Sequence, residues 1–367
     1  MNIRLFRPLL FLASLCLLIF ALHLHSVLAS EKPHQASYYQ KLENKIVQCL
    51  LCPRQCVISD KQRGFCGVRE NQGGELYTLV YGKPCSLHLD PIEKKPLFHV
   101  LPGARTFSLA TVGCNLKCKF CQNWQISQAS VEDVAVLSLS PEQVVEKARE
   151  SGAPVIAYTY TEPTVFYEYM FDIARLARKA GLKNVMHSAG FINEEPLRKL
   201  CPYLDAANID LKGFSEKFYS QMTLGRLEDV LRTLEILKSE GVWVEVTNLL
   251  IPGVNDSPEE IRKLSRWIAT RLGPETPLHF SRFWPLHKLL HLSPTPVSAL
   301  RMAKKIAQEE GLMYVYIGNV PGTEDEDTLC PRCQAKVVDR ASYVITSLHV
   351  VEGKCGHCGA PLEGIWE

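Results

Sequence analysis

From about residue 105 to residue 318 the chain alternates short apolar runs with amphipathic helical runs, and this alternation narrows its folds more than any other feature. "TFSLATVG" reads as a strand, "SPEQVVEKARESG" as a helix capped by Ser140 with Pro141 in its first turn, and "PVIAYTY" as the next strand. "TVFYEYMFDIARLARKAG" follows as a helix closed by Gly181. The pattern continues through "KNVMHSAG", "DAANIDL", "VWVEVTNLLIPG", "PLHFSRFWP" and "LMYVYIGN", with a helical run between each pair. Repeated strand–helix units imply a parallel sheet with crossover helices, so the fold class is α/β. A doubly wound sheet and a full or partial barrel both fit the count. Either one places active residues at the carboxyl ends of the strands.

Cysteine is the compositional outlier, with 14 residues in 367. Net charge is only +2, which gives no argument for nucleic-acid binding. Apart from Cys16, Cys85 and Cys201, the cysteines fall into three sets whose tight spacing suits metal ligation better than a disulfide framework. In the tail, Cys330 and Cys333 with Cys355 and Cys358 form two CxxC knuckles, the pattern of a closed tetrahedral Zn²⁺ site; rubredoxin-like iron is the other reading. Near the start, Cys49, Cys52, Cys56 and Cys66 are less regular and lack the ferredoxin run. Structural zinc is the first reading there and an auxiliary iron–sulfur cluster the second, and not all four need be ligands.

The third set, Cys114, Cys118 and Cys121 in "TVGCNLKCKFCQNW", directly follows the first strand of the series. A structural zinc site wants four ligands. Three thiolates on a 4Fe–4S cubane leave one iron without a protein ligand, open to the amino nitrogen and carboxylate of a small amino-acid-like molecule. "CNLKCKFC" resembles the CxxxCxxC signature of radical S-adenosylmethionine (radical SAM) enzymes, including the aromatic Phe120 before the last cysteine.

The run "CLLCPRQCVI…RGFCGVREN…DPIEKKPLFHVLPG…GCNLKCKFCQNW" resembles the radical SAM component of the AmmeMemoRadiSam system, a branch of the pyruvate-formate-lyase-activating-enzyme-like group, over about residues 45 to 320. The resemblance implies a partial or full (β/α) TIM-type barrel. Its implied cofactors are a 4Fe–4S cluster and S-adenosylmethionine, cleaved reductively to a 5′-deoxyadenosyl radical that abstracts hydrogen. It places Thr161, Glu162 and Pro163 where relatives carry a Gly-Gly-Glu-Pro-like element, with tyrosine and threonine in place of the glycines. Glu162 is then a charge partner for the cofactor's ammonium. His187 or Ser188 would face the ribose, unless His187 is a core residue. Asp210 and Lys212 stand near the cofactor, or form an ion pair across a strand end, and His279 near the adenosine. Asn255 and Asp256 are expected to cap the following helix. Asp90, Lys94, Lys95 and His99 are expected in a loop over the barrel mouth.

The expected organisation is a hydrophobic leader at 1–30, a cysteine-rich region at 31–100, a radical SAM barrel at 101–320 and a zinc-ribbon-like tail at 321–367. The leader's apolar run is long for a signal-peptide core and short of the ~20 residues of a membrane span. Membrane association through residues 8–29 is therefore one reading and export another, with the oxygen-labile catalytic part expected in the cytoplasm. The implied partners are a one-electron reductant such as flavodoxin or ferredoxin and a substrate. That substrate is a protein glycine if the enzyme is an activase, or else a peptide or small molecule. A non-catalytic multi-zinc protein is the reading from a different class.

Overall fold

In the computed structural model, which describes residues 33–367, the alternation becomes one eight-stranded sheet with its strands side by side in chain order. They are β1 (Ser86–Pro91), β2 (Arg105–Ala110), β3 (Val155–Tyr158), β4 (Lys183–Ser188), β5 (Ala206–Asp210), β6 (Trp243–Leu250), β7 (Leu278–Arg282) and β8 (Val315–Gly318). From β2 to β8 every pairing is parallel, while β1 runs antiparallel to β2, with Ser86 opposite Ala110 and Pro91 opposite Arg105. No ladder joins β8 to β1 among the described residues, so the hydrogen bonds form an open series. Six helices make the crossovers: α1 (Pro141–Glu150), α2 (Tyr167–Lys179), α3 (Glu194–Leu200), α4 (Leu227–Ser239), α5 (Pro258–Arg271) and α6 (Val297–Glu309).

Local chemistry sets the helix starts. Ser140 Oγ accepts the Gln143 N–H at 3.3 Å, and Gln143 Oε1 accepts the Ser140 N–H at 2.8 Å, a reciprocal cap ahead of Pro141. At α5 the cap is Ser257, which accepts the Glu260 N–H at 3.2 Å. Asn255 and Asp256 are not the caps expected of them, because the cap must directly precede the first helical residue, here Pro258. Asn255 is buried and donates to the carbonyls of Lys212 and Leu249, and Asp256 closes the turn by accepting the Gly253 N–H.

The sheet is buried on both faces, and the period-2 alternation along each strand separates two environments. Ile156, Tyr158, Met186, Ala207 and Ile209 face the helices, in the core that also holds Val145, Ile173, Leu234 and Ile268. Val155, Ala157, Val185 and Ala206 face the other way and pack with Ile92, Leu97 and Val100. Those three come from the segment "PIEKKPLFHVL", which enters through a short 3₁₀ turn, Ile92–Lys94. Val155 and Ala206 are the first residues of β3 and β5. The segment therefore plugs the sheet at its amino-terminal ends instead of covering the mouth at the carboxyl ends. Its apolar residues find their partners in the small side chains at the strand starts.

The tail, although it has its own small core around Cys330, Val337, Val338 and Cys355, is docked on this plug. Ile365 forms a parallel bridge with Val100, and buried Arg340 donates to the Phe98 carbonyl at 2.8 Å. The leader at 1–30, with the membrane segment at 8–29, lies outside the described residues. Among the described residues no helix is long and apolar enough to cross a membrane.

Ile92 is fully buried in the plug. Ile92→Ala should lower the free energy of unfolding by about 2–5 kcal/mol, read as a shifted midpoint in urea denaturation. A change under about 0.5 kcal/mol, the size of a surface effect, would mean that the plug is not packed as described.

Candidate functional site

The carboxyl ends of β2 to β5 lie side by side, and the cysteine loop leaves the first of them. Gly113 turns the chain at φ +103, where an added Cβ would stand 2.6 Å from Val68 Cγ1 and 2.9 Å from the Cys66 carbonyl. Only glycine fits this approach. The loop is then held on several sides. The Lys117 and Lys119 N–H groups donate to Thr223 and Met222, Asn115 Nδ2 donates to the Phe191 carbonyl at 2.7 Å, and Asn123 Nδ2 donates to the Tyr160 carbonyl at 2.6 Å. Cys114 Sγ accepts the Leu116 N–H at 3.3 Å, and Cys121 Sγ lies 3.2 Å from Ser127 Oγ.

Burial pushes the Cys118 thiol up to about 12, with Lys212 pulling the other way, and it pushes Cys114 well above its ordinary value, with Glu162 adding to the rise. Burial thus favours the neutral thiols of Cys114 and Cys118, and a cation that binds them must displace their protons. The three sulfurs do not all lie within 4.8 Å of one another, unlike those of the tail quartet. This spread suits thiolates on separate irons of a cluster better than three ligands on one ion.

Around this loop stand several of the residues expected from the sequence. Glu162 is buried at the end of β3, where Oε1 accepts from the Thr164 N–H at 3.1 Å, Thr164 Oγ1 at 2.8 Å and Ser188 Oγ at 2.6 Å. Its Oε2 accepts the Ala189 N–H at 2.8 Å and keeps one lone-pair site. Thr161 Oγ1 donates to the Thr111 carbonyl at 2.8 Å, tying β3 to the cysteine loop, and Pro163 begins a 3₁₀ turn, Pro163–Phe166.

Asp210, the last residue of β5, accepts from Lys212 Nζ at 2.7 Å and pairs with His187 Nε2 at 3.1 Å. Burial pushes its carboxyl up, but Lys212 and His187 outweigh that and hold it below the carboxylate range. Lys212 is held above its ordinary value by Asp210 against the pull of burial, with Cys118 adding to the rise. Its ammonium lies 5.8 Å from the centre of the Phe120 ring, and Phe120 is buried near Phe218. The ion pair and the place beside the cysteines are therefore one arrangement.

His279 is placed elsewhere. It is buried 2.7 Å from Glu245, between Phe98 at 4.7 Å and Tyr316 at 5.0 Å. Glu245 also accepts the Phe98 and His99 N–H groups, so this histidine sits among β6, β8 and the plug. Asp90 and Lys95 form a buried pair at 2.7 Å and meet Tyr160, whose hydroxyl donates to Asp90. Tyr160 itself sits at φ +64, the left-handed conformation that glycine favours. A tyrosine thus holds this conformation where the resemblance expects a glycine, at a cost of about 1–2 kcal/mol. No residue-type signal in the sequence pointed to Tyr160, Thr164 or the plug contacts.

In the tail, Cys330 and Cys358 sulfurs are 3.7 Å apart, Cys333 and Cys355 3.8 Å, and all four lie within 4.8 Å. Four thiolates about 2.3 Å from one tetrahedral ion stand about 3.8 Å from each other, so the quartet fits a single tetrahedral metal ion.

The family model described as the Radical SAM superfamily matches residues 108–265. An uncharacterized protein of Methanocaldococcus jannaschii is 47% identical over 331 residues, which cover 90% of this chain and 98% of that one. A pyruvate formate-lyase-activating enzyme of Clostridium pasteurianum is 26% identical over 183 residues, covering 46% of this chain and 70% of that protein. Among solved structures, Streptococcus suis SuiB bound to S-adenosylmethionine matches at 12% identity and a TM-score of 0.48, over 62% of this chain and 53% of that one.

Asp210 is held low when folded and sits near about 3.9 when unfolded. The stability it contributes is complete above that unfolded value and is lost as pH falls through the folded one. Asp210→Asn should therefore flatten the acid-side loss of stability in urea unfolding between about pH 2.5 and 5. A slope equal to that of the native chain would show that the carboxylate gains nothing from Lys212 and His187.

Proposed function

The chain belongs to the radical SAM superfamily, and on that premise we propose that Cys114, Cys118 and Cys121 hold a 4Fe–4S cluster with which this enzyme reductively cleaves S-adenosylmethionine. When bound, cluster and cosubstrate supply one-electron cleavage of a sulfonium carbon–sulfur bond and a 5′-deoxyadenosyl radical for hydrogen abstraction. The observation that carries the reading is the braced three-cysteine loop at the end of β2, with Glu162, Asp210 and Lys212 each felt by its thiols.

In this reading Glu162, fixed by four donors, offers its remaining Oε2 lone pair and its charge to an ammonium group. Lys212 and Asp210 stand beside Cys118 as an oriented pair of opposite charges. Phe120 and the loop's backbone contacts keep water from the cysteines. The electron comes from a carrier of the flavodoxin or ferredoxin kind. Likeness to the activating enzymes supports a protein glycine as the hydrogen donor, and the cysteine-rich run from Cys49 to Cys121 supports a place in the AmmeMemoRadiSam branch. The chain then divides into a cysteine-rich region at 31–100, a catalytic region at 101–320 and a zinc-binding tail at 321–367.

Anaerobically reconstituted protein, given dithionite and S-adenosylmethionine, should release 5′-deoxyadenosine and methionine. Cys118→Ala should lose the visible absorption of this cluster and at least about 100-fold of the product, since a radical enzyme without its cluster keeps only the uncatalysed rate. A colourless wild-type protein that yields no 5′-deoxyadenosine would favour a multi-zinc binding protein instead.

A further inference from the structure

Four cysteines outside the proposed catalytic loop converge on one cavity. Cys49 ends the strand Val47–Cys49, Cys52 and Cys56 lie on the turn before Val57–Ile58, and Cys66 precedes Gly67 at φ +78. All four line one small cavity that is partly open to solvent. Arg54, Arg69, Asn115 and Thr164 also line it.

Three observations bear on what this cavity holds. The first is spacing. Among the described residues, the tail quartet is the group whose ligand atoms all lie within 4.8 Å, and no three of these four sulfurs meet that limit. One tetrahedral ion would draw four thiolates to about 3.8 Å from each other. Thiolates on the separate irons of a cubane stand farther apart, because the iron–sulfide core lies between them.

The second is a donor at one of the sulfurs. Cys56 Sγ accepts the Phe65 N–H at 3.5 Å. A backbone donor at a sulfur is the kind of contact that stabilises a cluster thiolate and tunes its potential.

The third is an unsatisfied donor. Arg69 is only 2% exposed and lines the cavity; its other nitrogens reach Glu168 and the Ser37 carbonyl, yet its Nε–H has no partner. A buried N–H left unbonded costs about 1–3 kcal/mol. A sulfur acceptor in the cavity would relieve it. A cubane with four thiolates is anionic, and the guanidinium of Arg54 offsets part of that charge, while that of Arg69 is already paired with Glu168.

We infer that Cys49, Cys52, Cys56 and Cys66 are the ligands of a second, four-thiolate 4Fe–4S cluster, in place of the zinc that their sequence spacing first suggested. The inference stands apart from the reading of Cys114, Cys118 and Cys121. It also makes the two cysteine sets neighbours. The Cys66 carbonyl packs against Gly113, and Asn115, beside Cys114 in the chain, lines the second cavity.

The test uses the full chain with Cys114→Ala, Cys118→Ala and Cys121→Ala together, reconstituted anaerobically with iron and sulfide. About four irons and four sulfides per chain are expected, with an electron paramagnetic resonance signal after dithionite that S-adenosylmethionine does not alter. Adding Cys49→Ser and Cys52→Ser should remove that iron while the zinc content and far-ultraviolet circular dichroism stay unchanged. Zinc at both remaining sites with no sulfide in the first variant would overturn the inference, as would iron that survives the second. Should either variant fail to fold, the wild-type content decides. About eight irons and eight sulfides support two cubanes, and about four of each with two zincs overturn the second cluster.

Discussion

Successive parallel pairing from β2 through β3 and β4 to β5 sets four strand ends along one edge, and the candidate site hangs from it. Ala110, Tyr158, Ser188 and Asp210 end those strands. The residues just beyond them reach each other without long side chains. Thr161 ties β3 back to Thr111, Glu162 spans from β3 to Ser188 and Ala189, and His187 meets Asp210 across β4 and β5. Once the ladder forms, each of these bonds costs little further ordering, because both partners are already held. Charged groups kept rigid in this way can act on a bound molecule without reorganising, which is what an enzyme of this superfamily needs at its cofactor.

The same sheet raises a problem at its other end. A parallel sheet with helices on one face leaves the opposite face to be filled, and here that face carries Thr106, Ser108, Asn208, Glu245 and His279, all buried. Polar groups withdrawn from water need partners. The plug supplies them. The Phe98 and His99 N–H groups bond to Glu245, the Pro96 carbonyl accepts from Asn208, and His99 reaches Tyr316 and the tail's Glu363 carbonyl. The motif "DPIEKKPLFHVLPG", which carries no ligand logic of its own, is thus a structural stopper. The tail's Arg340 and Ile365 then pack on that stopper, which explains why a small metal-binding tail belongs to this fold instead of hanging from it.

Much of the arrangement was legible in the chain because it rests on local rules. Ser140 before Pro141 marks a helix start by chemistry within three residues. The knuckles at Cys330–Cys333 and Cys355–Cys358 announce a tetrahedral quartet by spacing alone, and the thiols converge as that spacing implies. What was not legible depends on distant partners. Strand β1 lies in the cysteine-rich region, outside the alternating series, and its pairing with β2 brings it into the sheet. Asn255 reads as a cap, yet it is drawn inward by the Lys212 and Leu249 carbonyls. His279 lies on its expected strand, but its neighbours come from the plug and from β6 and β8.

The sequence by itself determined the α/β class, the order of strands and helices and the grouping of cysteines into a three-member set and two four-member sets. These follow from period, capping and ligand spacing, which are properties of neighbours along the chain. The tertiary structure alone decided which face of each strand meets the helices and what fills the opposite face. It also decided how far apart the sulfurs of each four-member set stand. Both quartets read as zinc sites in the chain, but only the tail brings its thiols within one ion's reach. The N-terminal four are held apart by strands and turns that close around a cavity. Spacing along a chain limits how closely two sulfurs can approach, whereas packing sets the distance they keep.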